Sequence, residues 1–206
     1  MDMEAVPKLG LRERKKQETR SALSWAAVRL SVERGLDHVL VEDIAAEAGV
    51  SARTFNNYFS SKAEAIASRH VDRVRMIAAG LREQPAGQPL WEAISDAVFA
   101  QFGSSEADDR VPDQRWTAGV QLMTDQPTVR AELLRGSREA ERDLAAAVAE
   151  RLKTDPLSVY PQLVAAAVGI ALQVAMEGWL RADPPELLAP LLRKSLEQVA
   201  NLSEQV

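Results

Sequence analysis

The chain has 206 residues, 46% of them hydrophobic and 27% charged, enough for one or two compact soluble domains around a sizeable core. It contains no cysteine, which excludes structural disulfides, thiolate zinc sites, iron–sulfur clusters and cysteine nucleophiles. The two histidines, His38 and His70, lie too far apart for the paired-histidine helix of zinc hydrolases, and the ten glycines never come closer than seven residues (Gly80 to Gly87), which excludes Rossmann and P-loop phosphate cradles. No metal and no cofactor are expected.

The net charge of −5 hides a split. Residues 1–75 carry thirteen Lys/Arg against eleven Asp/Glu, whereas the remainder carries twelve against nineteen. The densest basic run, Arg12, Arg14, Lys15, Lys16 and Arg20, sits where a short arm would lead into a first helix, as a phosphate-contacting arm requires; the alternative is a solvated helix start. The longest unbroken apolar stretch, residues 163–172, is about half the roughly 20 residues needed to cross hydrocarbon. The N-terminus lacks the apolar segment of a secretory signal. The expectation is a cytoplasmic protein with no membrane partner.

Apolar residues recur at spacings of three and four, and Gly or Pro punctuates at helical intervals, so the chain reads as all-α with about nine helices. A first helix is predicted over residues 14–34, with Leu23, Ala26, Ala27 and Leu30 on one face, widened by Trp25, Val28 and Val32, and Gly35 as a left-handed stop. Short helices follow over 41–48, with Glu42 and Asp43 in the first turn, and over 52–58, with Ser51 as N-cap. Ser61 to Glu64 fits a capping box that opens a longer helix. After the breaker at 84–89, a helix striped by Trp91, Ile94, Val98, Phe99 and Phe102 ends at Gly103, and residues 104–112 read as an acidic loop. Later helices are predicted over 113–124, 127–153, 157–181 and 185–202, the last either kinked at Pro190 or starting later.

The informative stretch is residues 41–62, VEDIAAEAGVSARTFNNYFSSK. Two two-turn helices joined by Gly49-Val50-Ser51, with small Ala45 and apolar anchors Ile44, Ala48, Val50 and Phe55, are what a helix-turn-helix needs. Such a pair could also be plain core. The polar face of the second helix argues otherwise: Arg53, Thr54, Asn56 and Asn57 project beside Tyr58, and arginine and asparagine make bidentate pairs with guanine and adenine in the major groove. Tyr58 and Lys62 could reach phosphates, and the helix start near Ser61 offers backbone donors to a phosphate oxygen.

Residues 14–66 resemble the DNA-binding domain of TetR-family transcriptional regulators. The resemblance rests on helix one followed by Gly35-Leu36-Asp37, then Val41-Glu42-Asp43-Ile44-Ala45, Ala48-Gly49-Val50-Ser51, Arg53-Thr54-Phe55, Tyr58-Phe59 and Ser61-Lys62. It implies DNA contacts at Ser51, Arg53, Thr54, Asn57, Tyr58 and Lys62, and a phosphate contact at Arg20. There are two departures. Leu40 stands where many members carry a capping Thr, and Asn56 stands where many carry an aromatic residue and could either read an additional base or simply hold the helix with less apolar support. The implied organisation is a helix-turn-helix domain over 12–72, with the motif at 39–58, and a helical ligand-binding and dimerisation domain over 73–206.

In that second part, helix 157–181 is apolar nearly all round and needs cover on more than one side. The cover is either the chain itself or the same helix of a second subunit, with helix 185–202 alongside. Phe99, Phe102, Trp116, Met123, Met176 and Trp179 could line a pocket, with Gln121, Arg138 and Gln173 as polar contacts, although such a stripe is more often core than pocket. Such a pocket favours a lipophilic or aromatic effector. The leading expectation is a homodimeric repressor on palindromic double-stranded DNA, released by a small molecule. An activator of the same fold, or a helical ligand-binding module without sequence-specific DNA readout, remains open. An enzyme is not expected: carboxylate pairs such as Asp108-Asp109 or Glu139 with Asp143 suit solvated surfaces, and no nucleophile-base-orienter set can be assembled.

Overall fold

A computed structural model describes residues 10–102, 111 and 113–204. Among the described residues every regular element is a helix, with no strand: α1 (Leu11–Arg34), α2 (Val41–Glu47), α3 (Ala52–Tyr58), α4 (Lys62–Glu83), α5 (Leu90–Phe102), α6 (Gln114–Thr124), α7 (Pro127–Leu152), α8 (Val159–Arg181) and α9 (Leu188–Glu204). The expected acidic loop, with Gly103 and the Asp108-Asp109 pair, lies outside the described residues apart from Val111.

Helix α1 starts three residues earlier than expected. The basic run is therefore helical, not an arm, and part of it is held by ion pairs along the helix, Arg14 to Glu18 at 3.6 Å and Lys16 to Glu13 at 3.7 Å. Gly35 has φ 81° and ψ 141°, a positive φ with an extended ψ rather than the left-handed helical stop, because the chain turns directly into a 3-10 turn at Leu36–His38. Helix α8 starts at Val159, since Asp155 and Ser158 close a turn just before it. Helix α9 starts at Leu188, which leaves Pro190 in its first turn, where a missing N–H breaks no intrahelical bond.

The buried residues form two clusters. The first joins Leu23, Ala27 and Leu30 of α1, Ile44 of α2, Phe55 of α3, Phe59, and Ala65 and Ile66 at the start of α4. It also takes in Met123 of α6 and Val129 of α7. The second begins at Val71 of α4 and gathers α5, the rest of α7, α8 and α9. Helix α4 thus passes from one cluster into the other. Alongside it, α7 runs parallel: a Cβ on Gly136 would overlap Val71, Arg75 reaches Glu139 at 3.2 Å and Asp143 at 3.4 Å, and Arg82 reaches Glu150 at 2.8 Å.

By length and composition alone α8 could cross a membrane. In the fold, Val164, Ala165, Val168, Ala171, Leu172 and Ala175 bury one of its faces in the second cluster. Tyr160, Leu163, Ile170 and Val174, at helical spacing on another face, are exposed.

Candidate nucleic-acid interface

The turn between α2 and α3 is built by local rules. Gly49 adopts φ 70°, its N–H donates to the Ala46 carbonyl at 3.1 Å, and the Val50 N–H donates to the Ala45 carbonyl at 2.9 Å. These are the paired bonds of a Schellman stop, whose left-handed residue favours glycine. Two residues later the Ser51 hydroxyl accepts from the Thr54 N–H at 3.1 Å and starts α3. At the head of α2 the Leu40 N–H donates to Asp43 at 2.9 Å, half of a capping box. The other half is absent because leucine has no acceptor, as the Leu40 departure implied.

Helix α3 has only seven residues, so tertiary anchors must hold it. Phe55 is 0% and Phe59 2% exposed, their rings 5.7 Å apart. With those rings inside, Arg53, Asn56 and Asn57 stand in solvent, and none of their side chains makes a hydrogen bond or ion pair among the described residues. Thr54 and Tyr58 are half-buried, and the Ser51 and Thr54 hydroxyls share a 2.9 Å hydrogen bond. The outward face thus offers one guanidinium, two amides and three hydroxyls, the donor and acceptor set that reads base edges.

The two basic residues flanking this face are engaged. The Lys62 ammonium donates to the carbonyls of Leu36 at 2.9 Å and Val39 at 2.6 Å, pinning the 3-10 turn to α4 and leaving one of its three donors for a phosphate. Arg20 donates to Asp72 at 2.8 Å and to the Tyr58 carbonyl at 3.5 Å. At the head of α4, Ser61 caps as expected, accepting from the Glu64 N–H at 3.0 Å. The returning carboxylate, however, accepts from Ser60 rather than Ser61, through the N–H at 2.7 Å and the hydroxyl at 2.6 Å. Partial burial pushes the Glu64 carboxyl up, but the Ser60 hydrogen bonds, helped by Arg135 and Arg20, outweigh it and hold the group below its ordinary range.

The expected apolar ligand-pocket residues are divided between the two clusters. Phe99, Phe102, Met176 and Trp179 join the second cluster, and the Arg193 guanidinium lies 4.5 Å from the Phe99 ring centre. Trp116 and Met123 belong instead to the first cluster, because α6 packs on α1. Gln121 is half-buried, Arg138 is exposed, and Gln173 is exposed and donates to Glu177 at 2.9 Å. Two open concavities flank the helix-turn-helix: one between α1, the end of α3 and α4, the other beside Leu40, Asn56 and Lys62. Asp72 and Arg75, which line the first, are neighbours on α4, but their long-range partners Arg20 and Glu139 lie far away in the chain and gave no signal in the sequence.

Comparisons with known proteins agree with this geometry. The family model for the tetR family of bacterial regulatory proteins matches residues 25–67, and that described as the MftR C-terminal domain, also of the TetR group, matches residues 88–203. The HTH-type transcriptional regulator TcmR of Streptomyces glaucescens is 33% identical over 179 residues, covering 84% of this chain and 79% of that protein. Among solved structures, the fatty acid degradation regulator FadR from Bacillus halodurans aligns with a TM-score of 0.57 at 17% identity, covering 94% of this chain and 96% of that one. SmeT, the repressor of the Stenotrophomonas maltophilia multidrug efflux pump SmeDEF, aligns at 0.55 and 18% identity, covering 90% and 91%. At those identities the two structures speak for the fold alone. The two domain matches and the 33% identity to TcmR go further, and the chain is a member of the TetR family of DNA-binding transcriptional regulators.

Proposed function

We propose that the chain is a repressor that binds a palindromic operator as a homodimer and is released by a lipophilic or aromatic small molecule. The observation that carries the reading is the outward face of α3, where Arg53, Asn56 and Asn57 are solvent-exposed on a helix whose other side is locked by Phe55 and Phe59. The contacts proposed for DNA are those three with Ser51, Thr54 and Tyr58, and Lys62 through its remaining donor; Arg20, for which the resemblance implied a phosphate contact, is paired with Asp72 instead. The exposed stripe of Tyr160, Leu163, Ile170 and Val174 on α8 supports a second copy, with α9 alongside. Two α3 helices would then enter successive major grooves roughly 34–36 Å apart. Phe99, Phe102, Met176 and Trp179, gathered in the second cluster, support an apolar effector. An effector that prefers a wrongly spaced dimer weakens DNA binding by the same factor that DNA weakens effector binding.

Footprinting on the DNA flanking the gene tests this reading. A two-fold symmetric protected site is expected. Equal protection of every sequence overturns it.

A further inference from the structure

The surroundings of Arg20 fit a task other than phosphate contact. Its Nε donates to Asp72 Oδ2 at 2.8 Å, its Nη1 to the Tyr58 carbonyl at 3.5 Å, and its guanidinium lies 4.6 Å from the centre of the Phe59 ring. It is therefore held by α4, by the last residue of α3, and by the residue that closes α3. The pair is mostly buried, with side-chain exposures of 23% for Arg20 and 19% for Asp72. Swinging Arg20 onto a phosphate would leave the Asp72 carboxylate without its closest cation in a largely desolvated place.

Asp72 also pairs with Arg75 at 3.5 Å, and Arg75 reaches Glu139 and Asp143 of α7 at 3.2 and 3.4 Å. One turn before Glu139, the missing Cβ of Gly136 lets α7 lie against Val71, the neighbour of Asp72. A continuous line of charged contacts thus runs from the C-terminal carbonyl of α3 through α1 and α4 to α7. A seven-residue helix cannot set its own orientation, so what grips its end sets where its side chains point.

We propose that Arg20 and Asp72 are positioning residues for DNA reading: the pair fixes α3 against α4, and Arg75 ties that pair to α7, so that a displacement of α7 changes the pose of α3. The inference rests on the DNA-reading role proposed for α3 and names a route for its regulation.

Asp72→Asn separates this role from simple electrostatics, because removing a negative charge near DNA strengthens binding unless the charge holds the reading helix in place. The probe is a duplex selected from a random-sequence pool by the wild-type protein. Asp72→Asn and Arg20→Gln are each expected to lose about tenfold in affinity for that duplex, and the double variant no more than either single one, as coupled residues do. The slope of log affinity against log salt stays unchanged, and Asp72→Glu restores affinity. Without DNA, amide hydrogen exchange across residues 52–59 speeds up in Asp72→Asn.

The proposal is overturned if Arg20→Gln flattens the salt slope by about 0.9, the signature of one lost phosphate contact, while Asp72→Asn binds as tightly as wild type or more so and exchange across 52–59 is unchanged. Should Asp72→Asn fail to fold, Arg75→Gln takes its place: faster exchange across 52–59 supports the link to α7, and unchanged exchange with unchanged affinity overturns it. If the wild type selects no duplex, the DNA-reading proposal falls, and the exchange measurement alone decides the clamp.

Discussion

Helices α3 and α8 each bury one face and leave another uncovered, and the two uncovered faces differ in chemistry. On α3 the outward groups are a guanidinium and two amides; on α8 they are Tyr160, Leu163, Ile170 and Val174. A polar face is content in water and becomes informative only because its donors and acceptors match base edges. An apolar stripe of that length is costly in water and calls for cover. The partners proposed for the two surfaces differ accordingly, a duplex for α3 and a second copy for α8.

The sharpest way to break the comparison is at the buried side of α3. Phe55→Ala should cost about 3–5 kcal/mol in denaturant unfolding, the range for emptying a fully buried phenylalanine site; a loss below about 1 kcal/mol would mean that α3 is not held by its core face. On α8 the uncovered face is the target. Ile170→Glu should weaken self-association by about 2 kcal/mol or more, as interface hot spots do, with the sedimentation mass falling towards one chain at unchanged helicity. A mass that does not depend on this substitution removes the stripe from the proposed dimer.

At the reading face the effects should be smaller and confined to recognition. Arg53→Ala and Asn57→Ala are expected to relax preference at particular base pairs by about 1–3 kcal/mol each, while unfolding stays within about 0.5 kcal/mol of wild type, as for other exposed positions. Competition binding with single-base variants of the selected duplex measures both the size and the position of the loss. Equal losses for every duplex would assign these side chains to phosphate instead.

The smallest effect belongs to α4, which joins the two regions. Burial, reinforced by Arg73, holds the His70 imidazole below its ordinary value of 6.5. The unfolded chain therefore takes up this proton first as pH falls, so the contribution of neutral His70 is complete above pH 6.5. Below that value it declines until the folded imidazole titrates as well. Unfolding free energy measured from pH 8 down to 5 should show this decline, and His70→Gln should remove it. An identical slope in the variant places the titration elsewhere.

Much of the helix-turn-helix was legible because its rules are local. Ser51 as N-cap, Gly49 at the turn and Phe55 as anchor follow from spacing within a few residues, and each stands where expected. The flanking cations were not legible in the same way. Lys62 and Arg20 have long side chains that reach either solvent or a neighbouring carbonyl, and which they meet depends on Leu36, Val39 and Tyr58 being brought beside them. The pocket residues show the same limit, since nothing near Trp116 or Met123 in the chain reveals that α6 joins the first cluster rather than the second.

The amino-acid order by itself determined the helical class, most helix boundaries and the polar composition of the outward face of α3, because periodicity, caps and turn residues act over one or two turns. Only the tertiary structure decided which side of α8 is covered, which core receives α6, and that Arg20 is bound to Asp72. Those outcomes depend on which surfaces exclude water from one another, and residues far apart in the chain settle that together.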